Sequence, residues 1–393
     1  MYSLLLTIIY VAFISLGLPD SLLGAGWPVM HEAFNVPISY MGIITMIISG
    51  GTIISSLMSD ALTKKLKTPT VTVVSVFLTA TALLGFSLAS EFWMLIAFAV
   101  PYGLGAGAID AALNNYVAVH YHSRHMSWLH CFWGVGAIVS PFVMSYALTA
   151  SAWNNGYRII SLIQMGIGLL LLFTLPIWKV NKSKNESNTD CKSIGLIGAL
   201  KIKGVPSLLL GFFAYCAAES TAMGWASTYL VEVKNIAEEK AAAFASLFFI
   251  GLTAGRFIGG FFTDKLGDRK MIIFGTIIAI FGIACLLTPT SSETLALIGF
   301  IIFGLGCAPI YPCIIHSTPN NFGEENCGAI IGIQMASAYM GSTFMPPLYG
   351  LLGKLIGFEI MPVYLIAFIL LMIVMTEKTS QMCLAKKEGT QQV

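Results

Sequence analysis

Asp110, Glu219 and Asp20 each lie inside a long apolar run, where an ionised carboxyl has little water to solvate it. Carboxyls in such places have two physical uses. They hydrogen-bond neighbouring helices, or they take up and release protons where solvent reaches them. Asp110 stands in "GAGAIDAALNNY", with Asn114 one helical turn on along the same face and Asn115 rotated off it. Glu219 stands in "AAESTAMGW" beside Ala217, Ala218, Thr221 and Ala222, small residues that leave room at its side. Asp20 follows Pro19 in "LGLPDSLLGAGWP", where glycine and proline predict irregular backbone that can offer carbonyls and helix ends to a ligand. An acid precedes a tryptophan in both of these last stretches: Asp20 leads Trp27 by seven residues and Glu219 leads Trp225 by six.

What holds these carboxyls follows from composition. The chain is 56% hydrophobic and 10% charged, against about 25% charged residues in soluble domains. Twelve apolar runs have the length of bilayer-spanning helices, near 3–31, 37–59, 69–89, 93–119, 127–150, 158–178, 205–231, 240–262, 270–288, 294–315, 327–350 and 358–376. The fold expected is all-α and membrane-embedded, with lipid as its first partner. Sixteen Lys and Arg fall in the loops and tail on one side, including Lys64, Lys65, Lys67, Arg124 and the 179–203 segment; four fall on the other. The positive-inside rule then sets both termini in the cytoplasm of a cell membrane. The N-terminus has no basic segment before its apolar run, so it reads as a first span and not as a cleavable signal. A net charge of +2 with cations confined to loops gives no nucleic-acid signature, and the eight cysteines have no metal-ligand spacing. By helical rise Asp110 lies roughly 25 Å into the fourth run and Glu219 about 21 Å into the seventh, close to the midplane.

The two halves resemble one another. "GGTIISSLMSD" (50–60) is similar to "AGRFIGGFFTD" (254–264), which sets Gly51 over Gly255 and Asp60 over Asp264, and "YGLGAG" (102–107) is similar to "FGLGCA" (303–308). The division expected is an N-terminal six-helix bundle (1–178), a cytoplasmic linker (179–203), a C-terminal six-helix bundle (204–376) and a tail (377–393). Parallel repeats of this kind place a solute site between pseudo-symmetric bundles.

The loop "GGFFTDKLGDRK" (259–270) resembles the signature of the major facilitator superfamily, with Gly260, Asp264, Lys265, Gly267, Arg269 and Lys270 in place and Asp268 departing from the usual basic residue. "DAALNNY" and "WLHCFWGVGAIVSP" resemble the fucose permease branch of that superfamily, in Asp110, Asn114 and Tyr116. The resemblance implies proton-linked sugar symport using the acid at 110. Here Asp stands for that branch's Glu, and Asn115 for its proline, so solute identity does not carry over.

On this reading Asp110, Glu219 and Asp20 are the proton-coupling candidates. Aromatic faces suit the C–H faces of sugars and amides suit their hydroxyls, which makes Asn114, Gln334, Trp27, Trp225, Tyr229, Tyr311 and Tyr339 the solute-contact candidates. Asp60, Arg256, Asp264, Lys265 and Arg269 are candidates for gating the inner face. Arg256 is also a candidate structural partner for Glu219, and the tryptophans for packing. No Walker, HExxH or GxSxG motif occurs, so neither an enzyme nor a bound cofactor is expected. The expected partners are a monosaccharide and a proton, and the expected state a monomer. Proton-coupled efflux of amphiphiles, sodium-coupled sugar uptake, and a solute sensor that does not transport are the alternatives.

Overall fold

The structure is a computed structural model that describes residues 2–179, 194–288 and 293–391. The first run forms α1 (Tyr2–Gly17) and α2 (Leu22–Ala33), with a turn between them at 18–21. A 3-10 turn at Ile38–Tyr40 leads into α3 (Met41–Leu66), then α4 (Thr68–Leu88), α5 (Phe92–His120), α6 (Ser123–Ala150), α7 (Trp153–Phe173) and its continuation α8 (Leu175–Lys179). After α9 (Gly195–Leu200) come α10 (Val205–Glu232), α11 (Glu238–Leu266) and α12 (Asp268–Leu287). The last elements are α13 (Glu293–Cys307), α14 (Ile310–Phe322), α15 (Glu324–Ile356) and α16 (Met361–Gln391). Taking α1–α2, α7–α8 and α13–α14 as single spans, and leaving out the six-residue α9, gives the twelve expected. Ten are long and apolar enough to cross a membrane among the described residues; α11 and α15 complete the set at 29 and 33 residues. The broken first span follows from Gly17, Pro19 and the short polar side chains after it.

Two expectations shift. The twelfth helix continues through most of the segment read as a tail, because 377–391 holds no proline and many helix formers. Contacts also divide the chain unevenly: one unit holds 1–116 and 132–193, the other 117–131 and 194–393. The turn between α5 and α6 groups with the second unit. Residues 180–193, within the expected linker, lie outside the described residues.

Lipid tails are as apolar as leucine, so helices in a bilayer gain most from close backbone approach. In the first unit a Cβ on Gly103 of α5 would strike the Ile48 carbonyl of α3. In the second a Cβ on Gly304 of α13 would strike the Phe248 carbonyl of α11. The internal repeat is thus a repeat of packing: it keeps Gly103 over Gly304, as the sequence aligned them, and sets the 50–60 stretch in a different register from the one read above. Phe248 lies 200 positions after Ile48. The same interval separates Lys67 from Gly267, which sit between consecutive helices at φ 68°, ψ 150° and φ 80°, ψ 156°. Asp264 therefore corresponds to Lys64, one helical turn from Asp60. Asp60 itself pairs with Lys64 at 2.9 Å.

Candidate functional site

In the first unit the broken span exposes Asp20 at the turn between α1 and α2. Gly17, just before it, lets α6 come close: a Cβ there would meet the Trp133 carbonyl. This approach brings the Trp133 indole onto the acid, and Nε1 donates to Asp20 Oδ2 at 2.7 Å. Tyr102 of α5 donates its hydroxyl to Oδ1 at 3.3 Å. Asp20 is thus an accessible carboxyl framed by an indole and a phenol from two other helices. Asp110 is buried on α5, and the one-turn spacing does bring Asn114 to it: Nδ2 donates to Asp110 Oδ1 at 2.8 Å and to its main-chain carbonyl at 3.0 Å. Asp110 lies within electrostatic reach of Asp20. Tyr116 packs against Trp178, ring centres 5.0 Å apart.

In the second unit Glu219 of α10 and Arg256 of α11 form a buried ion pair, Nη2 to Oε1 at 3.1 Å, with side chains 10% and 3% exposed. Tyr215, one turn before Glu219, donates its hydroxyl to the Cys307 carbonyl at 2.9 Å, where α13 gives way to α14. Tyr311 of α14 stands among rings, 4.7 Å from both Phe212 and His130 and 6.1 Å from Tyr215. Tyr215 thus stands beside both the ion pair and the ring cluster. Gln334 is fully buried, its Oε1 accepting from Thr318 at 3.0 Å, and Tyr339 is half-buried on α15.

The tryptophans are placed differently from the sequence expectation. Trp27 is 2% exposed in the core of the first unit, against Phe92, and its Nε1 donates to the Ile38 carbonyl at 2.7 Å. Trp225 stacks on Phe358 at 5.7 Å, meets Tyr349 edge-on, and donates to the Pro346 carbonyl at 2.9 Å. Tyr229 donates to the Leu286 carbonyl at 2.9 Å and lies 5.8 Å beneath Lys234. All three spend their polar atom on main chain and their rings on packing. The aromatic that reaches Asp20 is Trp133, and sequence reasoning paired neither it nor Tyr102 with the acid. No spacing within one helix pairs residues of three helices. Replacing Trp27 by phenylalanine keeps most of the ring but leaves a carbonyl unpaired. A loss of about 1–3 kcal/mol in unfolding stability is expected, read as a lower melting temperature in detergent with solute affinity unchanged.

Of the candidate gating residues, Asp264, Lys265 and Arg269 lie at the motif-bearing ends of α11 and α12, whereas Arg256 lies deeper, in the pair with Glu219. Asp264 accepts from the Arg124 main-chain N–H at 3.1 Å and pairs with its Nε at 3.2 Å. Arg269 grips Glu377 of α16 with two nitrogens, at 3.0 Å and 2.6 Å, and Lys265 is exposed. Asp268, the residue that departs from the loop signature, opens α12 and accepts from Ser123 and His316.

Known proteins resemble this chain over most of its length. The sequence model of the Major Facilitator Superfamily matches residues 9–245 and 208–381. The glucose/mannose transporter GlcP of Bacillus subtilis is 23% identical, over 87% of this chain and 86% of its own. "Bypass of stop codon protein 6" of Saccharomyces cerevisiae is also 23% identical, over 90% and 77%. The solved structure of the E. coli fucose:proton symporter FucP superposes with a TM-score of 0.77 at 17% identity, covering 96% of this chain and 99% of that one. Twelve membrane-length helices, a repeated close packing of glycines and a family match along nearly the whole sequence lead to one assignment: the chain belongs to the Major Facilitator Superfamily, whose members are membrane transporters and not enzymes.

Proposed function

We propose that this protein is a proton-driven symporter of a monosaccharide, a hexose or deoxyhexose, working by alternating access with both termini in the cytoplasm. The observation that carries the reading is Asp20, an accessible carboxyl held between the Trp133 indole and the Tyr102 phenol. An acid can accept two sugar hydroxyls while a flat ring covers the C–H face, and a sugar that displaces either donor replaces one hydrogen bond by another. Asp110 and Glu219 supply the titratable groups. A proton from outside neutralises the buried carboxyl, solute binds, the bundles rock, and both leave inward. The similarity to a glucose/mannose transporter and to the fold of a fucose:proton symporter supports this solute class.

Purified protein in liposomes, acidic outside and neutral within, is expected to accumulate at least one of glucose, mannose, galactose and fucose. Collapse of the gradient by a protonophore should abolish that accumulation. Binding with no accumulation would identify a sensor. Accumulation driven by sodium at equal pH would replace the proton as coupling ion.

A further inference from the structure

His316 of α14 has both ring nitrogens against acceptors. Nδ1 lies 2.8 Å from Asp268 Oδ2, and Nε2 lies 3.1 Å from the main-chain carbonyl of Tyr121. A neutral imidazole has one N–H and one lone pair, so it can donate to only one of them. In the other contact its lone pair would face an oxygen lone pair. Satisfying both bonds takes a ring that carries two protons. Ser123 donates to the other oxygen of Asp268, which ties the carboxyl to the same turn.

We propose that His316 is a proton-operated latch: as imidazolium it ties the α5–α6 turn to α12 and α14, and on losing a proton it lets the turn go. The proton leaves its ring nitrogen for solvent, the hydrogen bond it made is lost with it, and no other covalent bond is made or broken. Asp268 keeps Ser123 in either state, so release frees one edge of the turn and leaves the other held. The charges acting on the ring are those of Asp268 and Asp264, and Asp264 is itself held by Arg124. Cys313 lies one turn away on the same helix, next to Asp268. His125, the neighbouring imidazole on the turn, is in the opposite situation. Arg124 Nε donates to its Nε2 at 3.3 Å, which requires a lone pair there and hence an uncharged ring. The same geometric test thus assigns one histidine the charge and denies it to the other.

The latch matters because the turn it holds continues at both ends into helices of the first unit, through Tyr116 and Phe132. A transport cycle that moves the bundles must strain or release this attachment. On the orientation proposed above the latch faces the cytosol. Acidification there would hold the turn and slow the cycle, and a rise in pH would free it. The inference concerns the turn alone and stands apart from the identity of the solute.

Hydrogen exchange of the full-length protein in detergent, followed by mass spectrometry on peptides covering residues 117–131, tests it without any solute. Rates between about pH 5 and 8 are normalised to an unstructured reference peptide, since intrinsic exchange itself depends on pH. In the wild type the turn is expected to be about tenfold better protected at the acid end than at the alkaline end, the size of one charge-assisted bond. His316→Gln should be weakly protected and flat across the range. His125→Gln should keep the wild-type response. Should His316→Gln fail to fold, the paired replacement His316→Leu with Asp268→Leu, which leaves no uncompensated charge, takes its place with the same flat profile expected. A wild-type turn whose protection does not change with pH would overturn the proposal. So would a His316 variant that keeps the wild-type response.

Discussion

Asp110→Asn is expected to abolish accumulation of solute while sparing its exchange. A proton crossing 100 mV supplies about 2.3 kcal/mol, enough for roughly fifty-fold accumulation at about 1.4 kcal/mol per tenfold. The variant's ratio should fall to one. Asparagine has the shape of the acid and can still take the hydrogen bond from Asn114 Nδ2, which in the native protein reaches Asp110 Oδ1 at 2.8 Å. It cannot titrate. Counterflow, in which labelled solute enters in exchange for unlabelled, needs no net proton movement and should persist. Both are read in the same liposomes. A variant that still concentrates solute with the original pH dependence would make Asp110 structural and pass the proton to Glu219 or Asp20.

The second large effect concerns the pair at the centre of the other unit. Arg256→Met leaves the Glu219 carboxyl buried without its cation, and breaking a buried pair from one side costs about 3–5 kcal/mol. The melting temperature should fall accordingly. Adding Glu219→Leu in the same chain removes the stranded acid and should recover most of the loss, because two apolar side chains can replace a buried ion pair at little cost. Transport separates the roles. If the pair only holds α10 to α11, the double variant recovers uptake along with stability. If Glu219 carries the proton, it recovers stability and stays inactive.

Much of the fold was legible because a bilayer needs about twenty apolar residues per span, and runs of that length survive any error in local propensity. The break at Asp20 was legible for the same local reason, since glycine and proline act on their own backbone. Partnerships across helices were not. Asp20 was matched with Trp27 because they share a segment, yet the indole that reaches it comes from α6, admitted by the absence of a side chain on Gly17. The 50–60 stretch was aligned one turn out of register because a shift of four residues keeps the same face of a helix, and so preserves every similarity that periodicity can detect. Asp268 looked like a flaw in a motif. Its use emerges only beside His316 and Ser123, which come from helices far apart in the chain.

That distance has a consequence for how the protein is made. Tyr121 and His316 are 195 positions apart, and a ribosome adding about 5–20 residues per second needs roughly 10–40 s to bridge the gap. Throughout that interval the α5–α6 turn is synthesised and in place without its anchors, and its polar groups can be satisfied only by water or chaperones. The amino-terminal half is therefore not self-sufficient during biogenesis. A nascent chain stalled before α14, or a fragment ending in the linker, should be cut faster by trypsin at Arg124, whose backbone N–H the full chain ties to Asp264, and be an early substrate for membrane quality control.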